Sequence, residues 1–166
     1  MVNKMLVPVA FSKYSQGILN YAADIAGPLG AELHIVNIIN ARDLDAVSKI
    51  SSFGYKVDSD EYTDIVKKDH DAEIKKLTEN LPVSRDKMVF HYVVGDPTTE
   101  LLRYVVEEKI DLVVMGLKAK ELRHLFVGSV ADRMFRKCPV PILSYRGDDI
   151  SARLEKRVYK HIINDE

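Results

Sequence analysis

Tryptophan is absent, cysteine occurs once, and long apolar runs are missing. A lone thiol, Cys138, cannot close an intramolecular disulfide, so the chain folds without covalent staples and suits a reducing compartment, the cytoplasm. No stretch approaches the ~20 apolar residues that a spanning helix needs. The opening, MVNKMLVPVAFSKYS, has too short an apolar run and no small-residue cleavage pattern for a signal peptide. The net charge is only −1, which removes any general pull toward nucleic acid or an anionic membrane, and neither is expected as a partner. His34, His70, His91, His124 and His161 are scattered without metal-ligand spacing, so no metal site is expected. The chain also lacks a Gly-x-x-x-x-Gly-Lys-Ser/Thr loop, a Gly-x-Gly-x-x-Gly fingerprint and a Gly-x-Ser-x-Gly elbow. Their absence disfavours a P-loop ATPase, a dinucleotide dehydrogenase and a serine hydrolase of the elbow type.

What remains is an ordinary globular composition over 166 residues, enough for one core. Short apolar runs at Met5 to Val9, Leu33 to Ile39, Met88 to Val94, Leu112 to Met115 and Ile142 to Tyr145 read as buried strands. Pro8 marks the first strand as near its end. Between the runs lie helical patterns. Ile18, Tyr21, Ala22, Ile25 and Ala26 recur at helical spacing behind the candidate caps Ser12 and Ser15, and Gly27, Pro28 and Gly30 stop them. Asp60 to Leu81 reads as a long polar helix with an incomplete apolar stripe of Tyr62, Ile65, Val66, Asp69, Ala72, Leu77 and Leu81, closed by Pro82. Gly95-Asp96-Pro97 reads as a turn that opens the helix bearing Leu101, Leu102, Val105 and Val106, with Pro97 near its first position and Asp96 or Thr98 as cap. Ile150, Leu154, Val158 and Ile162 recur every four residues in an amphipathic tail. Asn40 to Ser59 carries the weakest pattern.

Strand and helix alternate throughout, and the strands are apolar on both faces. That predicts an α/β fold, a doubly wound parallel sheet with helices on both faces, Rossmann-like in layering. Ligands of such sheets sit beyond the carboxyl ends of the strands, where strand order reverses. The stretch from Asp111 to Tyr145 fits that placement. DLVVMG ends a buried strand, a basic loop follows, and Gly128-Ser129 opens a helical pattern. Free amides and a hydroxyl at a helix start suit a phosphate. The dipole alone contributes about 0.3–1 kcal/mol, so several donors must act together.

LVPVAFSKYS, VVGDPTTELLRY, DLVVMG and VGSVADRMFRKCPVPILSY, in that order, resemble the universal stress protein family over residues 3 to 146. The resemblance implies a domain over residues 1–147; residues 148–166 lie outside it and, from their own periodicity, read as a helical extension. It implies a five-stranded parallel sheet of order 3-2-1-4-5 and a homodimer joined through the last strand, here Ile142 to Tyr145. It implies a stress-response regulatory protein rather than an enzyme, acting on a protein partner that the sequence does not identify. Nucleotide-binding members hold ATP or AMP and carry Gly-x2-Gly-x9-Gly-Ser/Thr after the fourth strand. By family position, Val9, Ala10, Ile38, Met115, Gly116, Lys118, Gly128, Ser129 and Val130 would line that pocket, with Ile38 and Met115 as an apolar wall for the base.

The match is degenerate. Gly116 and Gly128-Ser129 fit, but Ala119 stands at the second glycine and only Lys120 to Val127 separate it from Gly128. Ala10 stands where binders carry an acidic residue. Were a positive φ needed at 119, alanine would cost about 1–2 kcal/mol over glycine. Lys118, Arg123 and His124 in the loop, with Lys120, offer opposite charge in return. Each feature also has a plainer reading: Gly128-Ser129 as a helix cap, the basic loop as solvated surface, Cys138 as a packing residue. Two functions therefore stand beside each other, a nucleotide-binding regulatory module and a non-binding interaction scaffold of the same fold. ATP hydrolysis ranks below both, since the motif loops contain no positioned general base or metal carboxylates.

Overall fold

The structure, a computed structural model, describes residues 1–41, 59–116 and 130–163. Strand β1 (Lys4–Pro8) leads through a turn to helix α1 (Ser15–Leu29), then β2 (Glu32–Asn40), α2 (Ser59–Thr78), β3 (Met88–Gly95), α3 (Pro97–Glu107), β4 (Leu112–Gly116), α4 (Val130–Lys137), β5 (Ile142–Tyr145) and α5 (Asp148–Val158), which runs into a π-turn at Tyr159–Ile163. All five strands are parallel and lie in the order β3-β2-β1-β4-β5. The layering and order expected from the sequence and the family resemblance are the ones observed.

Side chains alternate across the sheet and build two cores. Met5, Val7, Leu33, Ile35 and Val114 face α1 and α2, where they meet Ile18, Leu19, Ala22, Ala23, Ala26 and Ile74. Leu6, Val36, Val113 and Met115 face α3 and α4, where they meet Leu101, Tyr104, Val105, Ala131 and Met134. Burial on both faces explains why the strands read as continuous apolar runs. At the amino edge of the sheet, the Asp111 carboxylate accepts hydrogen bonds from the amides of Asn3 (2.7 Å) and Lys4 (3.0 Å). Those bonds tie β1 to β4 and hold the carboxyl below its ordinary pKa.

Three helix details depart from the sequence expectation. Gly27 and Pro28 do not stop α1, which runs on to Leu29. Proline in a last turn forfeits one intrahelical bond and little else. The stop is Gly30 alone: it takes φ 62°, its N–H donates to Gly27 O, and the Ala31 N–H donates to Ala26 O, a Schellman closure. Neither Ser12 nor Ser15 is the N-cap of α1: that position is Tyr14, which has no side-chain cap, and Ser15 is already the first helical residue. The two serines instead close the turn ahead of the helix, with Ser15 Oγ accepting from the Ser12 amide (2.9 Å) and Ser12 Oγ from the Tyr14 amide (3.3 Å). In α2 the inward stripe is Val66, His70, Ile74 and Thr78, a four-residue spacing, whereas Ile65 and Ala72 are exposed. The stripe thus carries two polar residues, which is why apolar counting misplaced it.

Asp96 caps α3 as expected, with Oδ1 accepting from the Thr99 amide at 3.0 Å, and Pro97 occupies the first turn.

Candidate functional site

The strand order reverses between β1 and β4. β1 continues to β2 on one side, and the chain later returns to place β4 on the other. In doubly wound sheets such a reversal is where ligand crevices form, at the carboxyl ends of the strands. Met5 pairs with Leu112 and Leu6 with Val113; the same offset sets Pro8 level with Met115 and Val9 level with Gly116. On the other side Pro8 pairs with Val36, so Ala10 comes level with Ile38.

Six of the residues expected at the pocket are therefore described, and five of them share this edge. Val9 is buried, with its amide bonded to Val36 O at 2.9 Å. Ala10 is exposed, Ile38 and Gly116 are half-buried, and Met115 is 6% exposed within the α3/α4 core. Val130, half-buried, is the first described residue of α4. Lys118, Gly128 and Ser129, with Ala119, Arg123 and His124, lie outside the described residues.

Gly116 has a structural reason of its own. A Cβ there would stand 2.6 Å from Ile18 Cδ1 on α1. Its backbone is not in the left-handed region. Close packing against the end of Ile18, not backbone conformation, is what a larger residue would meet at this position.

Three residues that sequence reading did not select meet beside the pocket rim. Asn37 on β2 is 3% exposed and uses both ends of its amide. Its Nδ2 donates to Val9 O (2.8 Å), and its Oδ1 lies 2.8 Å from His70 Nδ1. An amide oxygen only accepts, so Nδ1 carries the proton in that pair. The His70 ring packs on Phe11 with centroids 4.4 Å apart and planes at 42°. Burial lowers the His70 pKa below its ordinary value, while Asp69 pulls it the other way. Phe11, directly after Ala10, adopts φ 47°. The Val66–His70–Ile74–Thr78 spacing was the available signal for His70. Arg133 on α4 also reaches this edge of the sheet, 3.6 Å from Asp96. Its Nε is buried without a hydrogen-bond partner.

On the α3/α4 face, deeper in the sheet, His34 is 2% exposed and lies 2.8 Å from the Tyr104 hydroxyl and 3.4 Å from Glu32. Burial lowers the His34 pKa, opposed by Glu32. Burial, with Glu108 adding to it, pushes the Tyr104 hydroxyl up to about 12. Both groups sit at positions where a neutral form packs best. Among the described residues no group of three or more His, Cys, Asp and Glu side chains is placed to hold a metal ion. Among the same residues no helix is long and apolar enough to cross a membrane.

A doubly wound parallel sheet whose strand order reverses at β1/β4, in a chain without a P-loop or dinucleotide fingerprint, defines a Rossmann-like α/β protein. The family model described as the universal stress protein family matches residues 1–146. The chain belongs to that family, whose members act in the stress response. It is 24% identical over 152 residues to universal stress protein MJ0577 of Methanocaldococcus jannaschii, covering 86% of this chain and 94% of that one. The solved structure of MJ0577 shares the fold at a TM-score of 0.68 and 20% identity, over 89% of this chain and 99% of that chain. A universal stress protein solved in complex with cAMP shares it at a TM-score of 0.59 and 21% identity, over 87% and 97% of the two chains. A protein of Pseudomonas aeruginosa PAO1 matches 97% of this chain at a TM-score of 0.66 and 18% identity, with this chain covering 53% of its length.

Proposed function

We propose that this chain is a stress-response regulatory protein that holds an adenine nucleotide, ATP or AMP, in the β1/β4 crevice. The observation that carries the reading is the convergence of Val9, Ala10, Ile38, Met115 and Gly116 at one open edge of the sheet. Ile38 and Met115 supply an apolar wall for a base. Gly128-Ser129 and Lys118, with Val130 behind them, supply amides and charge for the phosphate end. The cAMP complex of a family member of like fold supports an adenine ligand. The role is binding and signalling, not catalysis, and the compartment is the cytoplasm. Among the described residues β5 is an edge strand paired with β4 alone, and its other side suits pairing with a second copy through Ile142 to Tyr145.

Isothermal titration with ATP, AMP and cAMP tests the reading. Saturable heat that is lost in Gly128→Val supports it. No heat and no thermal shift at millimolar nucleotide rejects it. Native mass spectrometry tests the homodimer, and a monomeric spectrum at micromolar protein counts against the β5 pairing.

The scaffold reading rests on a specific observation as well. Gly116 is accounted for by Ile18, so the first motif glycine does not by itself signal a ligand. The rim position expected to be acidic is an exposed alanine. Under this reading the dimer surface and the tail carry the function, and deletion of residues 148–166 abolishes it while Gly128→Val does not.

A further inference from the structure

The β1 rim of the crevice runs through Val9, Ala10 and Phe11, and each flanking residue is held by a separate device. Val9 is bound on both sides, its amide to Val36 O and its carbonyl to Asn37 Nδ2. Phe11 is held by its ring against His70. Asn37 joins the two, since the oxygen of the same amide binds His70. Asn37 lies on the sheet face that is otherwise built from Leu33, Ile35, Met5 and Val7. A buried amide in such surroundings is costly unless fully paired, and a leucine would fill the space without that demand. Phe11 pays a second cost, because a Cβ disfavours φ 47°. Strain of this kind persists only where its surroundings over-determine it. Here those surroundings are the His70 ring and, behind it, Asn37.

We propose that Asn37 and His70 are positioning residues that lock the β1 rim and so decide how Ala10 meets a ligand. Ala10 has only a methyl side chain and is exposed between the two anchored residues. What such a rim presents to the nucleoside end of a ligand is main chain, in the direction that the lock sets. This inference rests on the nucleotide reading for its ligand, but the lock itself is testable without one.

The test uses ¹⁵N-labelled full-length protein. Without ligand, His70 should show the Nδ1–H tautomer, with a ring proton that exchanges slowly. Asn37→Leu and His70→Leu should each shift the Ala10 and Phe11 amide resonances by more than those of β4 and β5. His70→Gln, which keeps a donor toward Asn37, should shift them less than His70→Leu does. Titration with AMP and ATP should then show binding weakened roughly three- to tenfold in the two leucine variants, the loss of about one hydrogen bond's worth of ordering. Rim amides that do not move in Asn37→Leu, or a His70→Gln variant equal to His70→Leu, overturn the lock. Rim amides that move while affinity holds overturn its bearing on the ligand. If the natural protein binds neither nucleotide, the pocket reading falls by that result, and the ligand-free spectra still decide the lock. Asn37→Leu adds no polar group to the core, so it keeps the test open if His70→Leu does not fold.

Discussion

Replacing Gly116 with alanine separates a packing requirement from a ligand requirement at the first motif glycine. The new methyl carbon would stand 2.6 Å from Ile18 Cδ1 and 3.3 Å from its Cγ1. The first distance is well inside van der Waals contact and the second is tight but tolerable. Ile18 is 7% exposed and packed among the α1 core residues, so its terminal methyl has little room to move. Overpacking of this kind costs about 1–3 kcal/mol. For a chain of this length each kcal/mol lowers Tm by roughly 2–4 °C. Ile18→Val removes the offending Cδ1 and costs about 0.5–1.5 kcal/mol by itself. The double variant should then be nearly as stable as Ile18→Val alone, which gives a favourable coupling of about 1–3 kcal/mol in a double-mutant cycle, the size of the relieved overpacking. Urea denaturation of the four proteins reads it. Simple additivity of the two single changes refutes the packing argument. Nucleotide titration of the double variant adds the functional half: retained binding assigns Gly116 to packing, and binding lost at restored stability assigns it to the ligand.

Three further expectations follow from contacts between distant parts of the chain. Gly17→Ala would push a methyl group against Tyr145, 2.8 Å from its ring Cζ, so the junction of α1 with the end of β5 should loosen; a drop of about 1–3 kcal/mol in urea denaturation is expected, and an unchanged midpoint would contradict the geometry. His34 and His70 both have pKa values lowered in the folded protein, so the unfolded chain binds more protons just below its ordinary histidine pKa of about 6.5. Stability should be full above that pH and fall as the pH drops through the folded values, so the natural protein should lose more between pH 7.5 and pH 5 than a variant lacking both rings; a smaller loss in the natural protein would reverse the sign. Ile150 is 1% exposed at the base of α5, where Asp149 Oδ2 accepts from Lys13 (2.8 Å) and Tyr14 (3.0 Å); Ile150→Ala should cost about 2–4 kcal/mol, whereas Asp149→Ala, an exposed pair, should change Tm little.

The alternation of strand and helix was legible because each element's period is local: β1, β4 and β5 read as apolar runs, and the α3 start read from Asp96-Pro97. The carboxyl edge of the sheet followed from the rule for parallel sheets once the fold class was known, whereas Val9, Ala10, Ile38, Met115 and Gly116 were named through the family resemblance. The order of the strands did not follow from the residues. It came through the family resemblance, since a strand apolar on both faces has no local preference for one neighbour over another. The α2 stripe was misplaced because its inward positions include two polar residues: His70, whose partner Asn37 lies 33 residues away, and Thr78, whose hydroxyl is satisfied within the helix by Ile74 O.

The sequence by itself determined the kind of element at each place, the two-faced burial of the sheet and the compartment of chemistry excluded by its missing motifs. These are properties of short windows, governed by side-chain period and by turn residues. Only the tertiary structure decided what Gly116, Asn37, His70 and Phe11 are for. Asn37 meets a carbonyl 28 residues away, and the tail carboxylate Asp149 meets Lys13 across 136 residues. A polar group's worth depends on whether its partner is present when water is gone, and that partner is chosen by the fold.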